Sequence, residues 1–77
     1  MSPPKTRKEA AEFGKRVRKQ RLKLGWTIED LGERSGLHWT YVGQVERGGR
    51  NLTLHNILLL SRALGVDPAF LVKGLKP

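Results

Sequence analysis

Apolar side chains recur along this chain in five short bursts, each opened or closed by residues that favour helix ends. In the first, Phe13, Val17 and Leu24 fall at i, i+4 and i+11, one face of a helix expected from about Glu9 to Leu24. Cations fill six of its thirteen other positions, and Gly25 follows as a C-cap. Thr27 supplies an N-cap hydroxyl, and Glu29 and Asp30 in the first turn make a variant of the capping box. Ile28 and Leu31 form the apolar side of this second helix, and Gly36 stops it. A third helix begins near His38, turns Val42 and Val45 inward at i and i+3, and ends at Gly48 and Gly49. After a link at Arg50 and Asn51, Thr53 caps a fourth helix in which Leu54, Ile57, Leu58, Leu60, Ala63 and Leu64 are apolar nearly all round. Gly65 ends it. Asp67 and Pro68 then pair an N-cap with proline at the first helical position, opening a short fifth helix through Phe70, Leu71 and Val72 to Gly74. The pattern requires no strand and predicts a compact all-α fold of five helices.

Residues 1–8 stand outside this pattern. They hold two prolines and almost nothing to bury, and read as a flexible basic arm, closing with Pro3-Pro4-Lys5-Thr6-Arg7-Lys8, ahead of a single domain over 9–77. The arm either reaches round a bound partner or is simply solvated.

Seventy-seven residues bury only about 60% of their unfolded surface, so this domain is marginal alone. Without cysteine there is no disulfide framework, and His38 and His55 lack the partners of a metal site, so neither metal nor cofactor is expected. Packing and self-association remain as sources of stability. Leu58, Leu59 and Leu60 in succession cannot all face one small core, and with Phe70, Leu71 and Leu75 they leave apolar surface to hide. A symmetric homodimer through the fourth and fifth helices is the economical explanation. A C-terminus folded back over its own monomer is the other.

No apolar run approaches the ~20 residues that span a bilayer, and no hydrophobic segment follows the basic N-terminus as in a signal peptide. A cytoplasmic protein with no membrane partner is expected.

Net charge is +8 and unevenly spread: residues 1–24 carry nine Lys and Arg against Glu9 and Glu12, while the rest of the chain is nearly balanced. A one-sided cation face suits a polyanion, although a solvated helix with a basic tail has the same composition. The first helix lacks the wide apolar face of a membrane-surface helix. Two histidines, no cysteine, no glycine-rich phosphate loop and no clustered acids give an enzyme nothing to work with.

The second and third helices carry the most information. Arg21 and Gly25-Trp26-Thr27, Leu31-Gly32, the turn at Gly36, then Val42 and Val45-Glu46-Arg47-Gly48, with Arg62 to Asp67 behind them, resemble the Cro/lambda-repressor-like (XRE-type) helix-turn-helix family over about residues 13–72. The resemblance implies a lambda-repressor-like DNA-binding domain. Physically, a major-groove reader needs a short rigid helix presenting side chains to base edges and a second helix bracing it. With Val42 and Val45 inward, the third helix is expected to set Trp39, Thr40, Gly43 and Gln44 on one outward strip. Carried over from the family, Trp39, Thr40 and Gln44 correspond to base-reading positions, with Gly43 beside them. Gln44 suits adenine, and Thr40 a base edge or thymine methyl. Thr27, His38, Tyr41, Arg47, Arg50 and Asn51 sit at phosphate-contacting places, so that Arg47 and Arg50 position rather than specify. Tyr41 serves equally as inter-helix packing. Arg21 and Glu46 match a structural ion pair.

Three positions depart from the family. Ile28 stands for a glutamine that clamps phosphate, Gly32 for an alanine, weakening its helix by up to ~1 kcal/mol, and Trp39 for a polar or basic reader. Trp39 packs on thymine methyls or sugar, or serves a protein interface. Within the family, the compact size and the Leu37-to-Val42 run resemble restriction–modification controller proteins. These imply a dimeric transcription regulator on an inverted-repeat operator of double-stranded DNA, with RNA polymerase as a further candidate partner. The alternative is an antitoxin-like protein-binding module with secondary DNA binding, for which the five residues after Val72 offer little covering surface.

Overall fold

A computed structural model describes residues 7–77. They form five α-helices and, among the described residues, no strand: α1 (Lys8–Lys23), α2 (Ile28–Ser35), α3 (Trp39–Glu46), α4 (Leu54–Leu64) and α5 (Pro68–Val72). Most of the arm expected over residues 1–8 lies outside the described residues, and Lys8 belongs to α1.

The helix ends follow the cap chemistry. Thr27 Oγ1 accepts the Asp30 N–H at 3.0 Å while the Thr27 N–H donates to Asp30 Oδ2 at 2.8 Å, closing a reciprocal box at the start of α2. Thr53 and Asp67 cap α4 and α5 through the Asn56 and Ala69 amides. Gly36 adopts φ 77°, a left-handed turn that other residues resist, and the Leu37 N–H reaches back to the Gly32 carbonyl at 3.1 Å.

Two consequences of the α2 cap are measurable. Thr27→Ala is expected to lower stability by about 1 kcal/mol. The Asp30 carboxyl is held below its ordinary value of 3.8, chiefly by the Thr27 backbone N–H. Because folding depresses this pKa, its stabilisation is present above the unfolded value and is lost as pH falls through the lower folded one. Asp30→Asn is therefore expected to melt below the native protein at neutral pH and to converge with it as the pH falls below 3.8. A gap between the two melting curves that is unchanged in acid would show that the carboxylate contributes nothing.

The core is Phe13, Val17, Leu31, Val42, Val45, Leu60, Leu64 and Leu71, with Trp26, Ile28, Leu37, Leu52 and Ile57 packed around it. Leu24, expected in this core, is 45% exposed. The helix closes at Lys23, and Arg21, not Leu24, is its last buried residue. Leu24 is the C-cap of α1, beyond its last helical residue, so the apolar periodicity of the helix outlasts its burial.

Leu71 corrects a second expectation. It is fully buried in one copy of the chain and cannot supply a dimer interface. Arg16 helps to seat it, donating Nη1 to the carbonyls of Leu71 at 3.3 Å and Lys73 at 2.7 Å, which ties the end of α5 to α1. Leu75 is half-buried against the same core and Leu59 is half-buried on α4. Leu58 and Phe70 are exposed, with Leu54 and Val72 exposed beside them in sequence.

Two glycines set helix spacing. At Gly14 an added Cβ would overlap the Val45 carbonyl oxygen and lie 2.7 Å from that of Glu46, so α1 and α3 touch backbone to backbone. At Gly32 it would lie 2.8 Å from the Leu37 carbonyl oxygen and 3.2 Å from the Trp39 backbone. The residue that weakens α2 in isolation is the one that lets the start of α3 seat against it.

Candidate nucleic-acid interface

Helix α3 is held from behind by an ion pair. Arg21 Nε and Nη2 donate to the two carboxylate oxygens of Glu46 at 2.7 and 2.8 Å, and Nη1 donates to the Trp26 carbonyl at 2.8 Å. Both side chains are almost completely buried, at 9% and 4% exposure. The Glu46 hydrogen bond holds the Arg21 guanidinium above the ordinary arginine range, outweighing the opposing effect of burial. One contact thus joins α1, the α1–α2 link and the last turn of α3.

With Val42 and Val45 in the core, α3 leaves Trp39, Thr40 and Arg47 exposed and Gln44 half-buried. Trp39 is 51% exposed, unusual for so large an apolar ring, and stacks on His38 with the centroids 5.8 Å apart. Gly43 does not join this outward strip. It is buried, and the Arg47 guanidinium lies where its side chain would grow, Nη1 only 3.3 Å from a built Cβ. What is presented above Gly43 is the cation of Arg47.

The exposed polar groups are ordered by their neighbours. His38 Nδ1 accepts the Thr40 N–H at 3.1 Å, so the ring carries its proton on Nε2 and can donate it outward. The Thr40 hydroxyl lies 2.6 Å from the same Nδ1, so the His38 ring orders both polar groups of Thr40. Gln44 Oε1 accepts the Arg50 Nε–H at 2.7 Å. The Arg50 guanidinium also lies over the Tyr41 ring, 5.3 Å from its centroid. Tyr41 is half-buried and its hydroxyl accepts from Asn56 Nδ2 at 3.0 Å, which docks it on α4 while leaving its own proton available. Asn51 is exposed beside Arg50. At α2, the capping box consumes the Thr27 and Asp30 amides, so Thr27 offers an anion its hydroxyl proton but not its N–H.

Arg18 was not singled out from the sequence, where it is one of nine basic residues in the first 24. With Arg47, Ile28 and Gly43 it lines a shallow depression along α3, adding a second cation beside the exposed strip. Its position three residues before Arg21 was the available signal, since both then project from neighbouring faces of α1 toward α3. Among the described residues no group of His, Asp and Glu side chains has the makings of a metal site, and no helix is long and apolar enough to cross a membrane.

Comparison with known proteins agrees with this geometry. A helix-turn-helix family model matches residues 17–71. Control protein C.BamHI of Bacillus amyloliquefaciens is 47% identical over 57 residues, covering 73% of this chain and 70% of that protein. The crystal structure of the restriction-modification controller protein C.AhdI from Aeromonas hydrophila is similar at TM-score 0.79 and 47% identity, over 80% of this chain and 94% of that one. The restriction-modification controller protein C.Esp1396I, solved as a tetramer in complex with its natural 35 base-pair operator, is similar at TM-score 0.80 and 32% identity, over 90% of this chain and 91% of that one.

Proposed function

This chain belongs to the helix-turn-helix family, and on that premise we propose that it is a dimeric, sequence-specific transcription regulator, the controller of a restriction–modification system. The observation that carries this reading is the outward strip of exposed Trp39 and Thr40, half-buried Gln44 and the C-capping Arg47 along a short helix braced by a buried ion pair, in a chain similar to a controller solved on its operator. The α3 helix enters the major groove. Thr40 accepts from a base edge, Gln44 reads the next base along the groove, and Trp39 lays its ring against a thymine methyl or sugar. His38 Nε2, Tyr41 Oη, the Thr27 hydroxyl, Asn51 and the guanidiniums of Arg47 and Arg18 meet phosphates, which fixes register without reading sequence. Nothing in this arrangement acts on a bond, and the work is done where the DNA is, in the cytoplasm.

A second copy completes the site. Leu58 and Phe70, with Val72, expose apolar surface on one copy, and a two-fold contact through them covers it and sets two α3 helices roughly 34 Å apart, one turn of duplex. Occupancy then rises with the square of protein concentration at low levels, which suits a regulator controlled by its own abundance.

Gln44→Ala is expected to cost about 1–3 kcal/mol of discrimination at one base pair in each half-site and little on random duplex. Competition binding at ~150 mM salt, where phosphate-driven binding is suppressed, measures it. Equal losses on preferred and random duplex would refute the reading role.

A further inference from the structure

We propose that Arg50 is a positioning residue for sequence readout, not only a phosphate contact: it fixes the orientation of the Gln44 side-chain amide. The inference rests on the proposal that Gln44 reads a base.

An unrestrained glutamine amide can present either end to a base edge, because rotation about its last bond exchanges oxygen and nitrogen. Here the choice is made by chemistry. A guanidinium only donates, so the group 2.7 Å from Arg50 Nε must be the amide oxygen. The flipped amide would set its NH2 against the Arg50 N–H, two donors face to face. Gln44 Nε2, by contrast, hydrogen-bonds to no protein group among the described residues, and no buried polar side-chain atom among them lacks a partner. The amide therefore keeps two N–H donors and the second oxygen lone pair for a ligand.

Arg50 is itself held. Its guanidinium lies over the Tyr41 ring, and Tyr41 is fixed by Asn56 at the start of α4. The relay runs from α4 through Tyr41 and Arg50 to Gln44, so a long side chain on the exposed link after α3 is ordered before any base arrives. Ordering the reader in advance removes part of the entropy otherwise lost on binding, and removes it only for the base that matches the fixed amide. A free phosphate contact has a different signature. It strengthens all duplexes alike and cancels when one sequence is compared with another.

The test is a set of four proteins, native, Gln44→Ala, Arg50→Ala and the double variant, bound to the preferred duplex and to duplexes altered one base pair at a time. The readout is the ratio of Kd on the altered duplex to Kd on the preferred one. Arg50 is exposed, and thermal melting checks that each variant remains folded. Arg50→Ala is expected to lower this ratio at least fivefold at the one base pair where Gln44→Ala lowers it, to leave the other ratios unchanged, and to add nothing in the Gln44→Ala background. If Arg50→Ala weakens every duplex by one common factor, Arg50 is a phosphate contact alone and the proposal fails while Gln44 readout stands. If Gln44→Ala itself leaves every ratio at the native value, the base-reading role of Gln44 fails first and takes the proposal with it.

Discussion

Glu46→Ala is expected to destabilise the fold by about 3–5 kcal/mol, because it strands the Arg21 guanidinium in a site with almost no access to water. Three of the five Arg21 guanidinium N–H donors are engaged in the native structure, two by Glu46 and one by the Trp26 carbonyl. Removing the carboxylate leaves a buried charge with one neutral acceptor. An exposed ion pair would contribute under ~1 kcal/mol, and the exposures of 9% and 4% decide between the two cases. In a domain whose total stability is on the order of 5–15 kcal/mol the loss is large, lowering Tm by on the order of 20 °C. The paired replacement Arg21→Met with Glu46→Leu is expected to be less damaging than either single change, since it removes the charge together with its partner. Urea or thermal unfolding of the native protein, Arg21→Met, Glu46→Leu and the double variant measures the coupling, with Glu46→Ala alongside. A Glu46→Ala loss below ~1 kcal/mol would show that the pair behaves as a solvated surface contact.

Gly14→Ala is the second large effect, and its sign is the informative part. In the open interior of a helix this change stabilises by up to about 1 kcal/mol, because alanine is the better helix former. Here the new methyl would meet carbonyl oxygens of Val45 and Glu46, backbone atoms that no rotamer change can move aside. Accommodation requires α3 to shift away from α1, which strains the Arg21–Glu46 bridge and displaces the outward strip of α3 together. A net loss of about 2–3 kcal/mol is expected, with preferred-duplex binding falling at least tenfold while weak random-duplex binding persists. Melting curves and binding to the two duplexes report both parts. Stabilisation by Gly14→Ala would mean that the two helices are not in backbone contact.

The local grammar of the fold is legible in the chain. Thr27, Thr53 and Asp67 cap the helices that their positions predict, Gly36 takes the left-handed turn, and Val42 with Val45 faces the core. Each of these depends on neighbours within one turn of helix. Contacts set by elements far apart in sequence were harder to read. Leu24 has the right spacing for the core but is the C-cap of α1 and stays 45% exposed. Leu71 looks like spare apolar surface until Arg16 and α4 close over it. Gly43 lies on the outward side by angle alone, and it is buried because the Arg47 side chain folds back across it. Gly14 gave no signal beyond a glycine inside an otherwise strong helix. The same limit applies to the site. The resemblance placed Gln44 and Arg50 in separate roles, as reader and phosphate contact, whereas a hydrogen bond six residues apart joins them.

The most direct test of the central claim is selection of bound duplexes from a random-sequence pool at ~150 mM salt, where counterion-driven binding is weak. A dimeric sequence-specific regulator predicts enrichment of an inverted repeat whose half-sites lie about one helical turn apart, with the preference at one position in each half-site lost in Gln44→Ala. Recovery of unenriched DNA, with binding that simply fades as salt rises, would contradict it.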